Sequence, residues 1–178
     1  MANNIAMIFK PKDSKWTLNV DFPLLKLGNS GIQFVKTFKY LGHIINNSLN
    51  DDEDISREIR NTFARTNTLL RKFSKCSTEV KSILFKSFCI CFYDINLWKY
   101  YSKGSFNKFR SCYNKCVKIF FGFKRHDSLT EVLHTCHVLS FDTIVANAKQ
   151  VVINCIHKCA CINDLVKTFN SNSNVYFS

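Results

Sequence analysis

The apolar pattern of this chain changes its period near residue 51, and that change limits the folds open to it. Before it, short apolar runs are broken by Pro, Gly and Asn: Ile5 to Phe9, Trp16 to Val20, Leu24 to Leu27, Ile32 to Val35 and Phe38 to Ile45. Runs of that length between turn formers predict strands, with Gly28-Asn29-Ser30-Gly31 as a hairpin loop. A sheet so small, apolar on one face, needs helices or a partner domain to cover it. Beyond residue 51, Ile55, Ile59, Phe63, Thr66, Leu70 and Phe73 recur at steps of three and four. On a helix they form one stripe, with Arg57, Arg60 and Arg71 opposite. The acidic run Asp51-Asp52-Glu53-Asp54 stands at the N-terminus of that helix, where the macrodipole favours it. That role is structural and needs no catalysis.

Further helices follow. Ser77-Thr78-Glu79 opens a second one, predicted to run into the Tyr93 region; it is apolar on nearly every side past Ile83, as a central helix would be. A third, from Ser105 to Phe121, places Phe106, Phe109, Tyr113, Cys116, Val117 and Phe120 on one face. Lys108, Ser111, Lys115 and Lys118 fall on the other, and Gly122 is the C-terminal stop. Leu129 to Thr135 and Phe141 to Cys159 predict two more helices before a Ser/Asn-rich tail that is expected to fray. The fold class expected is α+β, mainly α: small N-terminal antiparallel strands followed by a helical bundle.

Charge points to the class of partner. The chain has 178 residues, with 25 Lys+Arg against 13 Asp+Glu and a formal charge of +12. Fifteen of those basic residues lie between Arg60 and Arg125, against only Glu79 and Asp94. Such a field concentrates polyanions, nucleic acid or acidic lipid; the plainer reading is an ordinary basic protein. Nine cysteines is an odd number, and the first residues lack a basic stretch followed by an apolar one. Reduced thiols in an intracellular protein, nuclear or cytoplasmic, are therefore expected. The most apolar stretch, Ile83 to Trp98, is interrupted by Lys86, Asp94 and Asn96 and is shorter than the roughly 20 residues that span a bilayer. No membrane segment is expected.

Phe38-Lys39-Tyr40-Leu41-Gly42-His43-Ile44-Ile45, then Asp51-Asp52-Glu53-Asp54-Ile55 and Arg57-Glu58-Ile59-Arg60, resemble the region just after the palm of non-LTR retrotransposon reverse transcriptases. The resemblance continues through Leu69-Leu70-Arg71-Lys72-Phe73, Glu79-Val80-Lys81, Leu84-Phe85-Lys86-Ser87, Leu97-Trp98, Phe109-Arg110-Ser111-Cys112-Tyr113-Asn114-Lys115-Cys116 and Phe121-Gly122-Phe123-Lys124-Arg125. Upstream, Met7-Ile8-Phe9-Lys10-Pro11-Lys12 is similar to the strand after the catalytic hairpin of these enzymes. The likeness covers residues 1 to about 145, within the usual few residues at a boundary.

The resemblance implies a division into a palm remnant over 1–50, a helical thumb-like region over 51–125, and a helical linker with a disordered tail over 126–178. It makes Tyr40, Leu41 and Gly42 a primer-grip-like turn, where glycine permits a sharp reversal close to a ligand. Read without that context, Tyr-Leu-Gly is an ordinary strand end. The helices beyond would hold an RNA–DNA hybrid through phosphate and sugar, tolerant of sequence and sensitive to salt. Arg57, Arg60, Arg71, Lys108, Lys115 and Lys118 are the expected contacts, although any one of them alone reads as a solvated helix face. Two-metal nucleotidyl transfer needs closely placed carboxylates, which the family carries in an aromatic-Ala-Asp-Asp hairpin. Here Asp51-Asp52 follow Leu49-Asn50 and lie past the grip, and Asp13 and Asp21 are isolated. The chain is thus expected to be a non-catalytic fragment without a cofactor of its own, magnesium belonging only to an intact polymerase.

Other constellations compete. Cys155, His157, Cys159 and Cys161 offer four soft ligands of the kind zinc takes. On one helix Cys155 and Cys159 share a face and His157 points away, so closing on one ion requires unwinding; buried or incidental thiols are the alternative. His134, Cys136 and His137 fit the end of an amphipathic helix as well as a metal group. No thiol sits in an activating context for cysteine catalysis. The alternative class of function is a helical protein-interaction or self-association module, docking through an exposed apolar edge without nucleic-acid affinity.

Overall fold

The computed structural model describes residues 5–9, 25–28 and 30–159. The predicted strand over Trp16 to Val20, Leu24 and Cys161 lie outside the described residues. Mainly helical α+β architecture is what forms: β1 (Ile5–Ala6), β2 (Lys26–Leu27), β3 (Ser30–Gly31), β4 (Gln33–Phe34), β5 (Thr37–Tyr40), β6 (His43–Asn46), α1 (Asp52–Phe73), α2 (Thr78–Cys89), a 3-10 turn over Tyr93–Asn96, α3 (Lys103–Phe121), α4 (Leu129–Thr135) and α5 (Phe141–Lys158). Two compact units divide it, one of residues 1–64 with 98–112, the other of 65–97 with 113–178.

In the first unit the strands pair two by two. β2 and β3 form a hairpin, Leu27 opposite Ser30, with Gly28 at φ +61°; Ser30 and Gly31, expected in its loop, are the paired strand, and Gln33–Phe34 pairs elsewhere. β5 and β6 form a longer one, Thr37 opposite Asn46 and Tyr40 opposite His43. The expectation of antiparallel strands fails at β1, which pairs parallel with β4. A parallel pair needs a crossover of a dozen residues or more, and the stretch between Ala6 and Gln33 is long enough to supply it. Val35 extends the ladder by donating its N–H to the Ala6 carbonyl. Behind the long hairpin, Trp98 packs edge-on against Phe109 with ring centroids 5.8 Å apart, and Ile55 and Cys112 are buried.

The second unit has an aromatic core. Phe85 of α2 stacks on Phe120 at 5.8 Å and lies 6.0 Å from Tyr113, both on α3. Phe92 meets Tyr113 and Phe141 edge-on. The buried Tyr113 hydroxyl donates to the Leu139 carbonyl at 2.6 Å, as a buried phenol must find a partner. Ser140 caps α5 by accepting the Thr143 N–H.

Sequence periodicity misjudges two helices. α2 stops at Cys89 instead of reaching Tyr93, and Cys91 donates its thiol proton to the Ser87 carbonyl at the helix end. After the break, Phe92, just before the 3-10 turn, and Ile95 within it are both buried. Nor is α2 enclosed on every side: Ser82, Phe85 and Cys89 are buried, while Val80, Ile83 and Phe88 are exposed. On α1 the buried face is turned by about one residue from the expected stripe. Asp54, Ile55, Glu58, Thr62, Thr66 and Leu69 are buried, whereas Ile59, Phe63, Leu70 and Phe73 are only partly so. A buried stripe of mostly polar side chains is costly unless each is bonded, and the bonds made by Asp54 explain the rotation.

α3 matches its prediction closely. Phe109, Tyr113, Cys116, Val117 and Phe120 are buried, Phe106 partly so, and Lys108, Ser111 and Lys115 exposed. Its end is a Schellman motif: Gly122 at φ +82° lets its N–H reach the Ile119 carbonyl while the Phe123 N–H reaches that of Lys118.

Candidate nucleic-acid interface

Tyr40, Leu41 and Gly42 close the β5–β6 hairpin. Leu41 at φ +47° and Gly42 at φ +91° are the turn residues, the type I′ arrangement in which both central residues lie on the left-handed side. Glycine takes that conformation freely; leucine does so against its Cβ. Leu41 is nevertheless 83% exposed and Tyr40 57% exposed, so among the described residues little packing offsets the strain. Below the turn, Phe38 and Tyr40 line a hollow together with Ile5, Met7, Phe9, Val35 and Ile45. The tip of this hairpin is thus apolar, aromatic and open.

Its base is fixed by one carboxylate. Asp54 Oδ1 accepts the Ile44 N–H at 2.9 Å and the Arg57 Nε at 2.6 Å. Its Oδ2 accepts Trp98 Nε1 at 2.9 Å and lies 3.1 Å from His43 Nδ1. Burial alone would push the Asp54 carboxyl up, but the donors Arg57, Trp98, Ile44 and His43 outweigh it and hold the group well below the ordinary carboxylate range. One side chain therefore joins β6, α1 and the Trp98 segment. The neighbouring acids serve the same segment: Asp51 Oδ2 accepts the N–H groups of Lys99 and Tyr100, and Asp52 Oδ1 accepts that of Ser102. Asn46 braces the connection, its Oδ1 taking the Asn50 N–H at 2.8 Å. The vicinal acids are engaged by backbone donors, which agrees with a structural reading of that run.

The six expected cationic contacts part company. Arg57, expected opposite the apolar stripe, lies 14% exposed because the buried face is rotated, and it bonds to both Asp54 and Glu58. Lys118 is drawn inward as well, its Nζ donating to the carbonyls of Arg125 at 2.9 Å and Asp127 at 2.7 Å. Arg60, Arg71, Lys108 and Lys115 are exposed. Arg60 and Lys108 belong to the first unit, Arg71 and Lys115 to the second.

Asp54 is the organising residue that sequence reading missed as such. Its signal was present in the Asp54-Arg57 spacing, i to i+3 on a helix, beside a lone downstream Trp98 that needs an acceptor. The soft-ligand groups are not assembled among the described residues. Cys155, His157 and Cys159 are exposed around the end of α5, where the Cys159 N–H bonds back to the Cys155 and Ile156 carbonyls. Cys136 is fully buried below the exposed His134 and His137, and burial pushes its thiol up. Burial likewise pushes the Cys89 thiol up to about 11 despite a contact with the Thr66 hydroxyl. Neither is an activated nucleophile.

No family model matches the chain, and no curated protein or solved structure matches it either. Among the described residues, no helix is long and apolar enough to cross a membrane.

Proposed function

We propose that this chain is a thumb-side fragment of a non-LTR retrotransposon reverse transcriptase that retains a nucleic-acid-binding surface and does not itself catalyse polymerisation. The observation that carries this reading is the hairpin tip: a strained, solvent-facing Tyr40-Leu41-Gly42 turn at the place where the resemblance puts a primer grip. Strain kept at an exposed position, with little packing among the described residues to offset it, points to an external ligand. Exposed Arg60, Arg71, Lys108 and Lys115 add cations suited to phosphate. The engagement of Asp51, Asp52 and Asp54 by donors of the fold supports the non-catalytic part of the reading. The partner proposed is an RNA–DNA hybrid or a related duplex, in an intracellular setting.

Titration of a labelled RNA–DNA hybrid tests this, beside the variant Arg60→Gln, Arg71→Gln, Lys108→Gln, Lys115→Gln. Weaker binding by the folded variant, with a shallower salt dependence, is the expected result; equal binding by both would remove the proposed surface.

A second reading has its own observation. The hollow under Tyr40 is lined by apolar side chains, and the tip residues Phe38, Tyr40 and Leu41 are exposed. Such a surface also suits self-association. Salt-insensitive oligomerisation without affinity for the hybrid would favour that module.

A further inference from the structure

The segment between α3 and α4 is built more rigidly than a connection needs to be. It opens on the Schellman motif at Gly122 and Phe123. Asp127 then folds it back, its carboxylate accepting the Lys124 N–H at 2.6 Å and its own N–H donating to the Lys124 carbonyl at 3.2 Å. From below, Lys118 Nζ holds the Arg125 and Asp127 carbonyls at once. The chain thus engages one cation and one anion to hold the backbone of Lys124-Arg125-His126, and all three of those side chains are exposed.

Adjacent like charges held in a fixed loop repel one another, and folding gains nothing from placing them side by side. A rigid loop offering cationic side chains in sequence does suit a polyanion whose charges are evenly spaced, because the ordering cost of binding has already been met. Phosphodiester backbone is such a polyanion. An acidic membrane surface fits less well, since the only large apolar neighbour in the loop, Phe123, is itself half-buried.

We infer that the loop Lys124-Arg125-His126, braced by Lys118 and Asp127, is a phosphate-contact site for the nucleic-acid backbone. This rests on the nucleic-acid reading above and adds to it a site in the second unit. Lys118 acts there as a positioning residue: it shapes the loop and does not contact the ligand.

The test measures affinity for an RNA–DNA hybrid across a potassium chloride series for the full chain, for Lys124→Gln/Arg125→Gln, and for Lys26→Gln/Lys36→Gln, which removes equal charge from exposed positions in the first unit. The loop variant is expected to lose roughly 1.5 from the magnitude of the log–log salt slope, near 0.7 to 0.9 for each phosphate contact. The control should keep the parental slope. Equal changes in both variants would overturn the loop site while leaving nucleic-acid binding intact, because only net charge would then matter. Failure of the parent chain to bind the hybrid would overturn the broader reading and this site with it. Loop-dependent binding to phosphatidylserine vesicles without hybrid binding would replace the ligand class.

Discussion

At the scale of single residues, Asp54 carries more of the structure than its place in an acidic run suggests. Removing a buried charge from its partners leaves the others uncompensated, so Asp54→Ala should cost about 3–5 kcal/mol by urea unfolding. Asp51→Asn should cost far less, since an amide oxygen still accepts the Lys99 and Tyr100 N–H groups. A pH dependence follows with a definite sign. The folded carboxyl titrates below its unfolded value, so its stabilisation is whole above about pH 4 and is lost as the pH falls further. Comparing acid unfolding of the parent with that of Asp54→Asn checks it: the variant should show a flatter decline below pH 4, and parallel curves would assign the acid sensitivity elsewhere. Charge alone revealed the acids to sequence reading and placed them correctly at a helix start. It could not reveal which of them would turn inward, because the acceptor demand of the Trp98 indole and the Ile44 amide arises only once distant segments meet.

At the scale of elements, local signals were read well where the backbone demanded a particular residue. Gly122 ended α3, Gly28 lay in the first hairpin, and the Leu129–Thr135 helix has its predicted bounds. Elements chosen by tertiary packing were read less well. The run from Ile83 to Trp98 is apolar in too many directions for its period to show a break, so the stop at Cys89 and the 3-10 turn went unseen. The parallel β1–β4 pair was equally invisible, since strand direction is set by the crossover and not by the strands themselves. The Leu41 turn yields a test at this scale. Leu41→Gly should relieve left-handed strain and stabilise the hairpin by roughly 1 kcal/mol, seen as slower amide exchange at Phe38 and Ile45. Faster exchange would mean that the leucine side chain supports the turn. The α3–α4 loop offers a matching test: Lys118→Met removes the Nζ bonds to the Arg125 and Asp127 carbonyls, and exchange at the Asp127 amide should quicken while that of Val117 stays slow.

At the scale of the whole molecule, apolar periodicity and the cap signals foresaw a mainly helical chain, and the described residues are mainly helical, with no helix long and apolar enough to cross a membrane. Which of the six expected cations would stay exposed was not legible member by member. Arg57 is held by Asp54 and Glu58 on its own helix, whereas Lys118 reaches the Arg125 and Asp127 carbonyls only because the chain folds back after α3. Among the described residues, Arg60, Arg71, Lys108 and Lys115 stay exposed, and so does the apolar, aromatic tip of the β5–β6 hairpin. If these cations grip a duplex through its phosphates, one measurement reads it most directly: the equilibrium affinity of the purified, folded chain for an RNA–DNA hybrid as a function of salt. A straight fall of log affinity with log salt, with a slope of several ions and little change when the hybrid sequence is scrambled, is the predicted result. A flat response, or no binding at low salt, would contradict a retained nucleic-acid-binding role.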